Sequence, residues 1–179
     1  MFTNLDTWLN VLLTILVVIG CLYILGLIVD LIFIFSFKHI LKIHNKTLNV
    51  ALTTKYIYIE KLIELMEENS VEIDPKYIEQ FKTINTKHFK HQDCHDCKNA
   101  RDILNNLRYE LFFIAKKEKN VEELKAFITD KSCIKELDEN YRDAVAMYNA
   151  DVLGYNYWVR FLPYKWIFLL FKIKTKELI

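Results

Sequence analysis

Glycine and proline are nearly missing from this chain, with three and two residues respectively among 179. Sheet-rich folds need turn residues at intervals of roughly 8–12 positions, so their scarcity excludes a sandwich or barrel and leaves long helices. A dominant charge of one sign is lacking too. With 24 basic and 23 acidic side chains the formal net charge is +1, which creates no field suited to nucleic acid or an acidic substrate. The four cysteines, Cys21, Cys94, Cys97 and Cys133, do not form the dense framework of a small secreted domain, and reduced thiols are the simplest reading. There is no glycine-rich phosphate loop, Ser-His-Asp ordering or His-Glu-x-x-His motif. The carboxylates along 60–72 and 118–138 alternate with lysines in the manner of solvated helix faces. The expectation is a protein that is not an enzyme and needs no cofactor.

Hydrophobic residues make up 53% of the chain, and the excess is concentrated before residue 38. From Trp8 to Phe37 the only charged side chain is Asp30. A helix rising about 1.5 Å per residue needs some 20 apolar residues to cross the hydrocarbon core, and Trp8 to Val29 supplies them. A secretory signal has a shorter apolar region behind positive charge; here the preceding flank carries Asp6 and no lysine or arginine. Lys38, Lys42, Lys46 and Lys55 follow, with no acidic residue between Leu31 and Ile59. That lysine excess directs the C-terminal side to the cytoplasm of a cell membrane and the N-terminus outside. The expected organisation is a short extracytoplasmic end at 1–7, a transmembrane helix at 8–30, a cytoplasmic helical domain at 38–162 and an aromatic, basic segment at 163–179. Asp30 is expected at the cytoplasmic headgroup level, where an ionised carboxylate is cheap. Gly20 and Gly26 do not have the four-residue spacing of a helix-pairing motif, and a homo-oligomer is left open.

The fold class is all-α, with an antiparallel bundle of three long helices plus a short one following the membrane helix. The first long helix continues to about Asn69, with Leu52, Tyr56, Ile59, Leu62, Ile63 and Met66 at helical spacing. Asp74-Pro75 opens the second, because the carboxylate accepts from a free amide and proline suits the first helical position. It is expected to run towards Lys117. Asn120 with Glu123 three residues later has the pattern of a capping box for a short piece, and Ser132 is a cap for the last helix. That helix carries the stripe Ile134, Leu137, Tyr141, Ala144, Tyr148, Val152, Tyr155, Val159 and Leu162, with Pro163 to end it.

Within that stripe, Tyr148-Asn149, Val152, Tyr155-Asn156, Val159 and Leu162-Pro163 resemble the C-terminal signature of the LemA family. Looser matches precede it in the same order: Val50, Leu52, Ile59, Leu62, Ile63 and Glu64, then Ala100-Arg101, then Leu124-Lys125-Ala126. The basic cluster of that family's first motif is reduced here to Thr53, Thr54 and Lys55. Asn45, Val145 and Val121-Glu122 stand where it has a tryptophan, an arginine and a Tyr-Pro step. The resemblance implies a bacterial, singly anchored, helical-bundle membrane protein and brings with it no established catalytic activity. Physically, the tyrosines supply apolar area with a hydroxyl that needs a partner. The asparagines beside them are placed to bond across to another helix or its backbone and fix register.

Two further constellations carry chemistry. His88, His91, Cys94, His95 and Cys97 are nitrogen and sulfur donors of the kind zinc prefers. On a straight helix the series 88, 91, 94, 97 turns about 60° at each step. His91, Cys94 and His95 then converge, with Cys97 or an outside group as the fourth ligand. Solvent-facing histidines and reduced thiols are the alternative. The stretch from Trp158 to Lys176 mixes Trp158, Phe161, Trp166 and Phe168 with Arg160, Lys165, Lys172 and Lys174. It is too short and too basic to span a membrane. It suits a helix in the cytoplasmic interface or a cap on the bundle. Three roles follow: a tethered protein-interaction or scaffold module, a metal- or redox-responsive sensor, and a lipid-organising protein.

Overall fold

A computed structural model describes residues 2–84, 89, 97–161 and 164–179, with side chains from residue 7 onward. All regular structure among these residues is helical. In chain order the elements are α1 (Phe2–Glu68), α2 (Pro75–Lys82), α3 (Lys98–Lys117), α4 (Lys119–Glu122), α5 (Lys125–Arg160) and α6 (Lys165–Leu170). The all-α expectation holds, and α1, α3 and α5 are its long helices. The expected anchor and the first helix of the domain are one uninterrupted α1 of 67 residues, since nothing between Phe37 and Leu52 breaks helical geometry.

The chain forms two compact units: Met1–Ile40 with Asp151–Leu178, and Leu41–Ala150 with Ile179. The second holds one apolar core. Leu52, Ile59, Leu62 and Met66 of α1 meet Leu104, Leu107 and Leu111 of α3, together with Phe127 and Ile134 of α5; all are 0–1% exposed. Each such side chain contributes about 1.5–3 kcal/mol on full burial. Tyr56 stacks on Phe81 with centroids 4.4 Å apart, and Phe112 meets Phe127 edge-on.

The stretch from Pro75 to Lys117 is not one helix. Asp74 caps α2 as expected, its carboxylate accepting from the Lys76 amide at 2.9 Å. The helix ends at Lys82, where the Thr83 hydroxyl bonds back to the Gln80 carbonyl. Phe81 then lies against Tyr56, Phe89 beside Asn49 and Thr53, Cys97 beside Asn49 and Asn105 against Lys55. Along α3, from the Cys97 before it to Asn105, the partners on α1 advance from Asn49 to Lys55. Two cap assignments are also overturned. Ser132 lies inside α5, which starts at Lys125, and Asn120 lies inside α4, whose N-cap position is Glu118 with no side-chain cap bond.

In the first unit the apolar residues of α1 from Trp8 to Leu22 are largely exposed. Further along, Phe33 stacks on Trp158 with centroids 4.5 Å apart and planes 2° from parallel. Gly26 and Gly154 permit close approach: a Cβ at Gly26 would overlap the Tyr164 hydroxyl, and one at Gly154 would lie 2.7 Å from the Phe37 ring. Among the described residues, two backbone positions that favour glycine hold other residues. Ser70 and Lys172 have φ of 56° and 55°. Each follows a helix end of Schellman type, with Val71 N–H donating to Met66 O and Ile173 N–H to Phe168 O.

Candidate functional site

The sequence signature on α5 has a definite partner, the chain's own C-terminal tail. In the second unit, the Asn149 side chain donates to the Ile179 carbonyl at 3.2 Å and accepts from the Ile179 amide at 3.0 Å. In the first unit, Asn156 makes the same pair of bonds with Lys176, both at 2.8 Å. The Tyr155 hydroxyl donates to the Lys174 carbonyl at 3.0 Å, and burial raises its pKa above the usual phenol value. Tyr148, Val152 and Val159 are buried. Each asparagine offers one acceptor and one donor in the geometry of a neighbouring peptide, so the tail is held by its backbone rather than by its side chains. Pro163 and Leu162 of the signature lie outside the described residues.

The aromatic, basic segment is split between two environments. Tyr164 and Phe168 are buried, and the Tyr164 hydroxyl donates to the Tyr23 carbonyl of α1 at 3.0 Å. Trp158 is half-buried on Phe33. Arg160, Lys165 and Lys172 are exposed, as are Trp166, Leu170 and Phe171 at 72%, 82% and 72%. Asp30 does not sit at an open surface: it is 3% exposed, and its Oδ2 has no hydrogen-bond partner among the described residues. The turns of α1 that carry it are packed against other segments of the unit, which an apolar run read alone does not disclose.

Of the zinc candidates, His91, Cys94 and His95, with His88, lie outside the described residues. Cys97 is described and is 1% exposed, its thiol 3.8 Å from Asn49 Oδ1. It is not solvent-facing, and it stands at the N-cap position of α3, which begins one residue later.

A charged site absent from the expectations lies between α1, α3 and α5 in the second unit. Lys55, taken from the sequence as a membrane-flanking lysine, is 5% exposed in the apolar stripe of α1. Its ammonium donates to Asn105 Oδ1 of α3 at 2.5 Å and pairs with Asp138 of α5. Arg108 of α3 pairs with the other oxygen of the same carboxylate and lies over the Tyr109 ring, 4.0 Å from its centroid. Burial, with Arg108 and Arg101 nearby, pulls the Lys55 pKa from its usual 10.5 to about 7. Asp138 is therefore not part of a solvated face. These groups border a cavity of about 420 Å³ that Arg101 and Arg142 also line. The sequence signal was present: Leu48, Leu52, Lys55, Ile59 and Leu62 advance in steps of four and three, which puts a lysine in a buried stripe.

Among the described residues no group of three or more histidine, cysteine or carboxylate side chains is arranged to hold a metal ion. One helix, α1, is long and apolar enough to cross a membrane. No family model matches the chain, and neither a curated protein nor a solved structure matches it.

Proposed function

We propose that this chain is a LemA-type, single-pass membrane protein whose helical bundle works on the cytoplasmic side as an interaction or scaffold module without catalytic activity. The observation that carries the reading is α1, whose most apolar stretch has no covering within the fold and which continues without a break into the bundle. An all-round apolar helix without a protein partner is stable in lipid. Lys38, Lys42 and Lys46 are exposed on α1 beyond that stretch and favour a cytoplasmic bundle. The ordered Tyr-Asn signature supports the family assignment, since both asparagines act as structural clamps. Proximity labelling from a tag on the bundle, in the cell of origin, tests the module. A reproducible set of labelled proteins is expected. A set identical to that of the same anchor carrying an unrelated domain would reject it.

A lipid-organising role has its own support in the exposed Trp166, Leu170 and Phe171, bordered by Lys165 and Lys172. Aromatic side chains beside snorkelling cations suit the headgroup region. With Trp8 and Trp158 replaced by phenylalanine, Trp166 emission in proteoliposomes should be blue-shifted and quenched by brominated lipids. Water-like, unquenched emission would reject this second role.

A further inference from the structure

We propose that the cavity between α1, α3 and α5, bordered by Lys55, Arg101, Arg108 and Arg142, is a binding site for a small phosphate-bearing anion. The first argument is charge. The lining contains four cationic side chains and two carboxylates, Asp102 and Asp138. Lys55 and Arg108 both lean on the single carboxylate of Asp138. Their side chains are only 6% and 12% exposed, so water does little to disperse the surplus positive charge.

The second argument is unused donor capacity. Arg108 Nε is buried and has no hydrogen-bond partner among the described residues. Among the described residues, Arg101 pairs with no carboxylate but its neighbour Asp102, at 3.6 Å, and Arg142 has no carboxylate partner. Guanidinium groups present their N–H donors in a planar fork that matches two oxygens of one phosphate. A phosphate group carries about −1.5 to −2 charges near neutrality and three strong acceptor oxygens, which suits a lining whose positive surplus is one with Lys55 neutral and two with it protonated. A planar carboxylate has neither the charge nor the third oxygen.

The third argument is form. A volume of about 420 Å³ falls within the range of small-molecule pockets. Leu52, Leu137 and Val145 give part of the wall an apolar surface, so a phosphate ester with an apolar or ring-bearing remainder fits better than the bare ion. The donors come from three long helices fixed by one core, so little ordering is required on binding. Lys55, already drawn down by burial and by the two arginines, would take up a proton beside a new anion.

The test uses the full chain in a maltoside detergent, which has no phosphate of its own. Inorganic phosphate is titrated while thermal unfolding and the ³¹P line width are followed, with sodium chloride at matched ionic strength as the control. A saturable rise in melting temperature and ³¹P broadening are expected with phosphate but not with chloride. Both should weaken about tenfold or more in apparent affinity for Arg142→Gln and Arg101→Gln together. Neither residue belongs to the apolar core, and circular dichroism checks that the variant stays folded. Parallel titrations with neutral phosphatidylcholine vesicles containing or lacking phosphatidic acid separate a lipid source from a soluble one. A melting shift specific to phosphatidic acid and lost in the double variant supports the site with lipid phosphate as its source. No saturable response to either probe, or responses equal in variant and parent, would overturn the proposal.

Discussion

Lys55 is the residue where the energetic tensions of the fold are clearest. It stands between Leu52 and Ile59 in a stripe that is otherwise apolar, and Asp138 and Asn105 satisfy it. Its folded pKa near 7 lies below the unfolded value of about 10.4. Between these values the unfolded chain holds a proton that the folded chain has released, so this group makes stability rise with pH. Its slope is at most about 1.4 kcal/mol per pH unit. Below the folded value both states are charged, and the burial cost is present in full. Lys55→Met, which leaves Arg108 to neutralise Asp138, should therefore flatten the rise between pH 7 and 10. Thermal melts of parent and variant across that window check it; parallel pH curves would be the contrary result. Glycine gives a second prediction at this scale. Gly26→Ala must displace the buried Tyr164 hydroxyl from its bond to Tyr23, with a cost of about 1–3 kcal/mol. Gly20→Ala meets nothing within 4 Å and should be neutral or stabilising by up to about 1 kcal/mol. Melting temperatures of the two variants should separate in opposite senses. That the helices would pack was readable from the stripes, whereas Lys55 is read as a flanking charge unless its place between Leu52 and Ile59 outweighs its side-chain type.

At the scale of elements, α5 clamps the tail once in each unit. Asn149 holds Ile179 in the second unit. Asn156 holds Lys176 in the first. The tail turns back at Lys172, which adopts a left-handed conformation that costs a non-glycine residue about 1 kcal/mol. Lys172→Gly should therefore slow opening of the tail, measured by hydrogen exchange at the Lys176 and Ile179 amides. Asn156→Ala, which removes both bonds to Lys176, should speed exchange there by about five- to thirtyfold. These factors correspond to about 1–2 kcal/mol. The melting of the core around Leu107 should hardly change. If exchange were unaltered, the clamp would not be holding the tail. The chemistry of the Tyr-Asn pairs was legible, because an asparagine beside a buried tyrosine asks for a partner. The partner was not, because residues 171–179 carry no periodic pattern that ties them to a helix face. The end of α2 at Lys82 was hidden for a related reason: neither glycine nor proline marks Thr83, and the apolar spacing resumes in α3.

For the whole molecule, the governing contrast is between the uncovered apolar part of α1 and the cored bundle that follows it. Exposed leucine, isoleucine and valine from Leu9 to Leu22 would drive aggregation in water, whereas in lipid the same surface is solvated and the helix satisfies its own backbone. Direction depends on Lys38, Lys42 and Lys46, since Lys55 is engaged inside the bundle and cannot contribute. Three lysines close after the apolar stretch, with Asp6 on its other flank, are the basis of the proposed cytoplasmic orientation. The prediction is made in a background with the native cysteines replaced by alanine. Thr3→Cys should react with a membrane-impermeant maleimide in intact cells, and Lys116→Cys only after the membrane is permeabilised. Replacing Lys38, Lys42 and Lys46 together by glutamine should produce a mixed population, with part of the Lys116→Cys sites labelled from outside. Lys55→Gln should leave the labelling pattern unchanged, because a side chain paired with Asp138 belongs to the bundle's interior and not to the membrane flank. Labelling of Lys116→Cys in intact cells of the otherwise unaltered chain would reject the proposed orientation.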